Sequence, residues 1–151
     1  MQIIQPFQIP INWRMSKFEI TGHKFFDTPK KLGDFENDLQ FQFTTQQNLD
    51  TIENDHTINI QLTLNLFNDA KSEETLFQMS SYALYLITNY EESIAKVNAV
   101  PVDLLSEMII AQAATVRGAY YLITRDTFLA GSIVPTLSKN LLITTFQQSN
   151  E

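Results

Sequence analysis

Hydrophobic and polar residues alternate most regularly between Thr57 and Phe67. Ile58, Ile60, Leu62, Leu64 and Leu66 fall on one side of an extended chain, and Thr57, Asn59, Gln61, Thr63 and Asn65 on the other, because successive strand residues point to opposite faces. A strand with one dry and one wet face belongs to an antiparallel sheet covered on a single side. Leu39 to Thr45 repeats the pattern, with Leu39, Phe41 and Phe43 set against Gln40, Gln42 and Thr44. Asn12 to Phe26, carrying Trp13, Phe18, Ile20 and Phe25, predicts an earlier strand bent at Gly22, and Glu74 to Ile87 predicts a fourth. Met1 to Pro10 is extended, since Pro6 and Pro10 block a helix. The joining segments are read as a polar loop (Asp27 to Asp38), a polar hairpin region (Gln46 to His56) and an acidic polar stretch (Thr88 to Val100).

The period then changes. Asp103 to Asp126 has helical spacing, with Asp103 as candidate N-cap and Arg125 in the last turn, where a cation suits the helix dipole. At about 1.5 Å per residue the helix is roughly 33 Å long. Leu105, Met108, Ile109, Gln112, Val116, Tyr120 and Ile123 form one stripe. A second face holds Ala111, Ala114, Thr115, Gly118, Tyr121 and Leu122. Two apolar faces need two covers. Either the chain's own sheet and loops close round the helix, or a second copy covers the small-residue face; the scarcity of other apolar pattern favours the second copy. An apolar loop from Thr127 to Val134 and a short helix from about Leu137 to Gln147 follow. Strands first and helices after predict an α+β domain: a four-stranded antiparallel sheet with one long and one short helix packed on one face.

The 151 residues are read as one domain, and 44% hydrophobic content with eleven phenylalanines excludes a disordered chain. A net charge of −7 argues against binding a phosphate backbone. No window reaches the length of a membrane span, and the N-terminus lacks the pattern of a secretory signal. The absence of cysteine removes thiol chemistry and fits a reducing compartment, so a cytoplasmic location is expected.

Candidate chemistry is sparse. His23 and His56 lack the spacing of a metal site, and the four glycines build no phosphate loop or nucleophile elbow. Asp50, Glu53 and Asp55 are too loosely placed for a calcium loop, and Glu91 and Glu92 read as a solvated turn. No catalytic set, metal or cofactor is expected, and the chain is read as non-enzymatic. Aromatics in connecting segments stand out instead: Phe35, Phe128 with Leu129, and Phe146. Such side chains either cap the core or line a groove for apolar ligands or unfolded chains.

Short motifs in order resemble the SecB family, tetrameric export chaperones of the bacterial cytoplasm. Glu74-Thr75-Leu76-Phe77 is similar to the E-T-x-F that opens the family's fourth strand. Arg117 falls where the family has A-R in its long helix, and Arg125, Thr127 and Phe128 resemble the R-G-T-F that ends it. Pro135 follows at the spacing of the family's T-F-P-x-L-x-L-x-P loop, and Phe35 stands in the place of an aromatic ahead of the second strand. The resemblance spans roughly Asp34 to Phe146. It implies an ATP-independent holdase whose apolar grooves hold unfolded polypeptides for export, assembled as a dimer of dimers with the long helices at the centre. The positions it assigns to the groove are Phe35, Phe77, Phe128, Leu129 and Phe146. Gln78 and Ser80 replace a leucine and a glutamate on the face that docks SecA in the family, Tyr82, Ala83 and Asp126 replace glycines, and the sequence ends at Glu151 without the family's tail. SecA as a partner is thereby set apart from client holding, and a non-export client such as a labile antitoxin is open. A small apolar-ligand-binding protein is the alternative reading.

Overall fold

The computed structural model describes residues 2–4, 9–26, 39–68 and 74–138. Its centre is an antiparallel sheet of strands β2 (Trp13–Phe25), β3 (Leu39–Asn48), β4 (Thr57–Asn68) and β5 (Glu74–Ile87), arranged β2-β5-β4-β3. The four strands expected from alternation are therefore present, and the bounds of β5 are those read from the sequence. Register bulges in β2 fall between Met15 and Lys17 and between Ile20 and Gly22, the second at the expected bend. Helix α3 (Val102–Thr124) lies across one face.

Alternation decides which face that is. Ile58, Ile60, Leu62, Leu64 and Leu66 of β4 pair with Tyr85, Ala83, Ser81, Met79 and Phe77 of β5, and all ten are buried. The α3 stripe of Leu105, Met108, Ile109, Gln112, Val116 and Tyr120 is buried against them, with Ile123 half-buried at the end. The outer face is polar: Gln78 Nε2 donates to Asn65 Oδ1 (3.0 Å), and the Tyr82 hydroxyl donates to Asn59 Oδ1 (2.6 Å).

Several local expectations are corrected. Asp103 is not the N-cap; that position is Pro101, in extended conformation, and Asp103 sits in the first turn without capping. Proline at the cap arises because β6 (Ala99–Pro101) runs straight into the helix. The region read as a polar hairpin is shorter, since β3 continues to Asn48 and a single turn α1 (Ile52–Asp55) buries Ile52. That turn stops at His56, whose left-handed backbone (φ 59°) returns its N–H to the Ile52 carbonyl at 3.0 Å. The acidic stretch holds a second turn, α2 (Ile94–Val97), which ends at left-handed Asn98 and buries Ile94. β6 pairs in parallel with β1 (Gln2–Ile4), a small second sheet that no periodicity in the sequence announces. Asn89 ties the nearby backbone: its Oδ1 accepts from Asn12 N (2.7 Å) and its Nδ2 donates to Pro10 O (2.8 Å). Residues 137–138 are irregular, and the rest of the expected short helix lies outside the described residues.

Candidate functional site

The inner face of the sheet is wider than the helix that covers it. α3 shuts the central strands β4 and β5 from water, whereas the inward side chains of the two edge strands are only half-buried. On β2 these are Trp13, Met15, Phe18, Ile20 and Phe25; on β3 they are Leu39, Phe41 and Phe43. Alternation directs them inward, reset in β2 by its two bulges, and the single helix fails to reach the edges.

Near the C-terminal end of α3 the two edges are joined by a cross-strand row. Register places Phe25 opposite Phe77, Phe77 opposite Leu66, and Leu66 opposite Phe41. The Phe25 and Phe77 rings lie 4.9 Å apart, and Tyr120 on the helix meets Phe77 at 5.3 Å and Phe41 at 5.9 Å, both edge to face. The middle of the row is sealed and its two ends open to solvent. Exposed His23 flanks one end, 6.1 Å edge-on from Phe25.

Among the residues the sequence assigned to a groove, Phe77 and Leu129 are wholly buried in the core of the chain as folded. Phe77 sits beneath Tyr120 at the centre of the sheet, and Leu129 is drawn in by a turn whose Ser132 Oγ donates to the Leu129 carbonyl (2.6 Å). Phe128 is half-buried beside it. Phe35 and Phe146 lie outside the described residues. The half-exposed members that sequence reasoning missed are Phe25 and Phe41, and their inward alternation was the signal that could have found them.

The proposed second face of α3 is uncovered within the chain. Ala114, Thr115, Gly118, Tyr121 and Leu122 are exposed, Leu122 to 68%, and Ala111 is half-buried. Ile133, 75% exposed, adds to it, because the chain folds back at left-handed Gly131 (φ 86°) and Val134 N donates to the Tyr121 hydroxyl at 3.2 Å.

Polar groups inside the core are matched to one another. Gln112 Nε2 donates to the Ile60 carbonyl (3.1 Å) and to Ser81 Oγ (3.0 Å), and Ser81 Oγ donates to the Leu62 carbonyl (3.1 Å). The Tyr85 hydroxyl is shared between the Met108 carbonyl (2.8 Å) and Gln112 Oε1 (3.1 Å). Burial pushes the Tyr85 phenol far above its ordinary range, and burial likewise raises that of Tyr120, whose hydroxyl bonds Ser132 Oγ. Tyr90 is raised by burial first and then by the charges of Glu53 and Glu91. Among the described residues no group of three His, Asp or Glu side chains is placed to hold a metal, and no helix is long and apolar enough to cross a membrane. An open cleft of about 440 Å³ on the outer face is lined largely by amides, including Gln46, Gln47, Asn48, Asn59 and Gln61.

No protein-family model matches the sequence, and no curated protein matches it. The fold is similar to that of the Mycobacterium tuberculosis SecB-like chaperone solved with a ChAD peptide from the HigA1 antitoxin. That likeness has a TM-score of 0.56 at 12% identity and covers 83% of this chain and 88% of that one. The strand order, the single covered face and the long helix together give this chain a SecB-like fold.

Proposed function

We propose that this protein is an ATP-independent holdase that keeps unfolded polypeptide segments on the half-covered margins of its inner sheet face. The observation that carries this reading is the pair of aromatic-rich edges on β2 and β3, left open beside a helix that covers only the strands between them. Apolar contact contributes about 25 cal/mol per Å² buried, so an extended client gains affinity from many weak contacts spread over such rows. The surface is long and narrow, which suits a chain better than a compact small molecule. No charge occurs among the inward residues Leu39, Phe41, Phe43, Trp13, Met15, Phe18 and Ile20, so many client sequences are tolerated.

The protein acts in the cytoplasm as a homo-oligomer, a dimer of dimers in which the face of Ala111, Ala114, Thr115, Gly118, Tyr121 and Leu122 is covered by a second copy. Its clients include flexible segments of the antitoxin kind that the mycobacterial chaperone binds, and unfolded preproteins are the alternative. Gln78 and Ser80 are engaged with Asn65 and Thr63 on the outer face, so delivery to SecA is not part of the proposal.

Substoichiometric protein should suppress aggregation of an unfolded substrate. The variant Phe25→Ala with Phe41→Ala should lose most of that activity while its circular dichroism stays native. Undiminished suppression by this variant would remove the proposed surface.

A further inference from the structure

The polar cleft on the outer face of the sheet lies on the side away from α3. Strand register builds it from two cross-strand rows. Gln46 stands opposite Gln61 and Gln61 opposite Tyr82, and Asn48 stands opposite Asn59 alongside them. Leu49 and Asp50, just past the end of β3, bound it. Its volume of about 440 Å³ falls in the range of small-ligand sites, roughly 300–1,000 Å³.

Part of this wall is fixed from within the chain. The Tyr82 hydroxyl occupies Asn59 Oδ1 (2.6 Å), and Asp50 N occupies Asn48 Oδ1 (2.8 Å). Each bond holds its amide in place and leaves the Nδ2 donors unspent. The side chains of Gln46 and Gln61 and the carboxylate of Asp50 bond to nothing among the described residues. Spare donors and spare acceptors therefore surround one small space.

That set selects a ligand chemistry. Among the described residues that line the cleft there is no lysine or arginine to meet a phosphate or carboxylate, and Asp50 repels either. Lys17, 5.8 Å above the Tyr82 ring, is paired with Glu19 at 3.9 Å. An apolar ligand would strip water from the amides and return no bonds. A hydroxyl group both donates and accepts, so adjacent hydroxyls satisfy amides and a carboxylate side by side. The Tyr82 ring adds an apolar wall for the carbon face of a sugar.

We propose that this cleft binds a short neutral saccharide, held by Gln46, Asn48, Asp50, Asn59 and Gln61 beside Tyr82. The proposal goes beyond the holdase reading, and the cleft lies on the opposite face from the aromatic margins, so either can fail without the other.

The test applies the natural chain to an array of neutral, sialylated and sulfated glycans. The best neutral glycan is then titrated into isotope-labelled protein, with side-chain amide signals followed by NMR. Neutral glycans should be captured in preference to charged ones, and the amide signals of Gln46, Asn59 and Gln61 should move saturably. Gln61→Ala and Asp50→Ala should each weaken binding by about tenfold, with circular dichroism and suppression of aggregation unchanged. An array on which no neutral glycan is captured, capture of charged glycans alone, or natural affinity in both variants would each overturn the proposal. Amide signals that move with an asparagine- and glutamine-rich peptide but with no neutral glycan would overturn it too, and assign the cleft to polypeptide.

Discussion

Gln112 is the polar member of an otherwise apolar stripe, and replacing it measures what ties the helix to the sheet. Its side chain is fully buried and makes three hydrogen bonds, two donated by Nε2 and one accepted by Oε1. Gln112→Leu removes all three. Two of the three partners are not abandoned, since Ser81 keeps the Leu62 carbonyl and Tyr85 keeps the Met108 carbonyl, while the Ile60 carbonyl loses this donor. The loss is therefore the net worth of the bonds, about 1 kcal/mol each, rather than the larger penalty of orphaned groups. Leucine returns part of this through apolar burial, about 1 kcal/mol. The balance is a destabilisation of about 2 kcal/mol, or roughly 4–8 °C in Tm for a chain of this size. Gln112→Glu should behave differently. An ionised glutamate cannot donate to the Ile60 carbonyl whereas a protonated one can, and burial raises its carboxyl above the usual value of about 4.3. A raised folded pKa means that stability is greatest at low pH and is lost as pH rises from about 4.3 through the folded value. Thermal unfolding followed by circular dichroism, at one protein concentration and at pH 5 and 8, separates the cases. A Tm for Gln112→Leu at or above that of the natural chain, or a Gln112→Glu variant indifferent to pH, would refute the view that this network fastens α3.

Phe77→Ala should cost about 3–5 kcal/mol in urea unfolding, because it empties the centre of the aromatic row instead of trimming a surface. Leu122→Arg, at a position 68% exposed in the chain, should lower molar mass in light scattering while moving protomer stability by less than about 0.5 kcal/mol. Gly131→Ala imposes a side chain on a left-handed residue (φ 86°) and should cost about 1–2 kcal/mol in thermal unfolding. The folded Tyr85 phenol is raised from 10.0, so its contribution is complete below that pH and disappears as pH climbs toward the folded value; alkaline unfolding of Tyr85→Phe should begin at higher pH.

The sheet and the long helix were legible because both rest on strong periodicity. Five β4 residues at period two and six α3 residues at helical spacing specify faces whatever packs against them. β1 and β6 were not legible, since three-residue strands carry no period and their pairing is settled by distant geometry. The α1 and α2 turns were hidden for the same reason, in segments whose polar composition masks one buried isoleucine each. The cap at Asp103 failed because an entering strand, not a side chain, fixes the start of α3. For the site, Leu129 reads as a loop surface residue until a turn folds it inward, and Phe77, in β5, reads as accessible until Tyr120 closes over it. Phe25 and Phe41 were visible as strand residues, but only the width of the sheet relative to one helix reveals that they stay open.

The strand order has a consequence for how this chain emerges from the ribosome. β3, β4 and β5 follow one another and can zip together as neighbours, but β2 pairs with β5, about fifty residues further along at the nearer end of the ladder. Until β5 has been made, Phe18, Ile20 and Phe25 hang on an unmatched strand. During its own synthesis, then, the protein passes through a sticky, unfinished form of the kind that it is proposed to shelter in others.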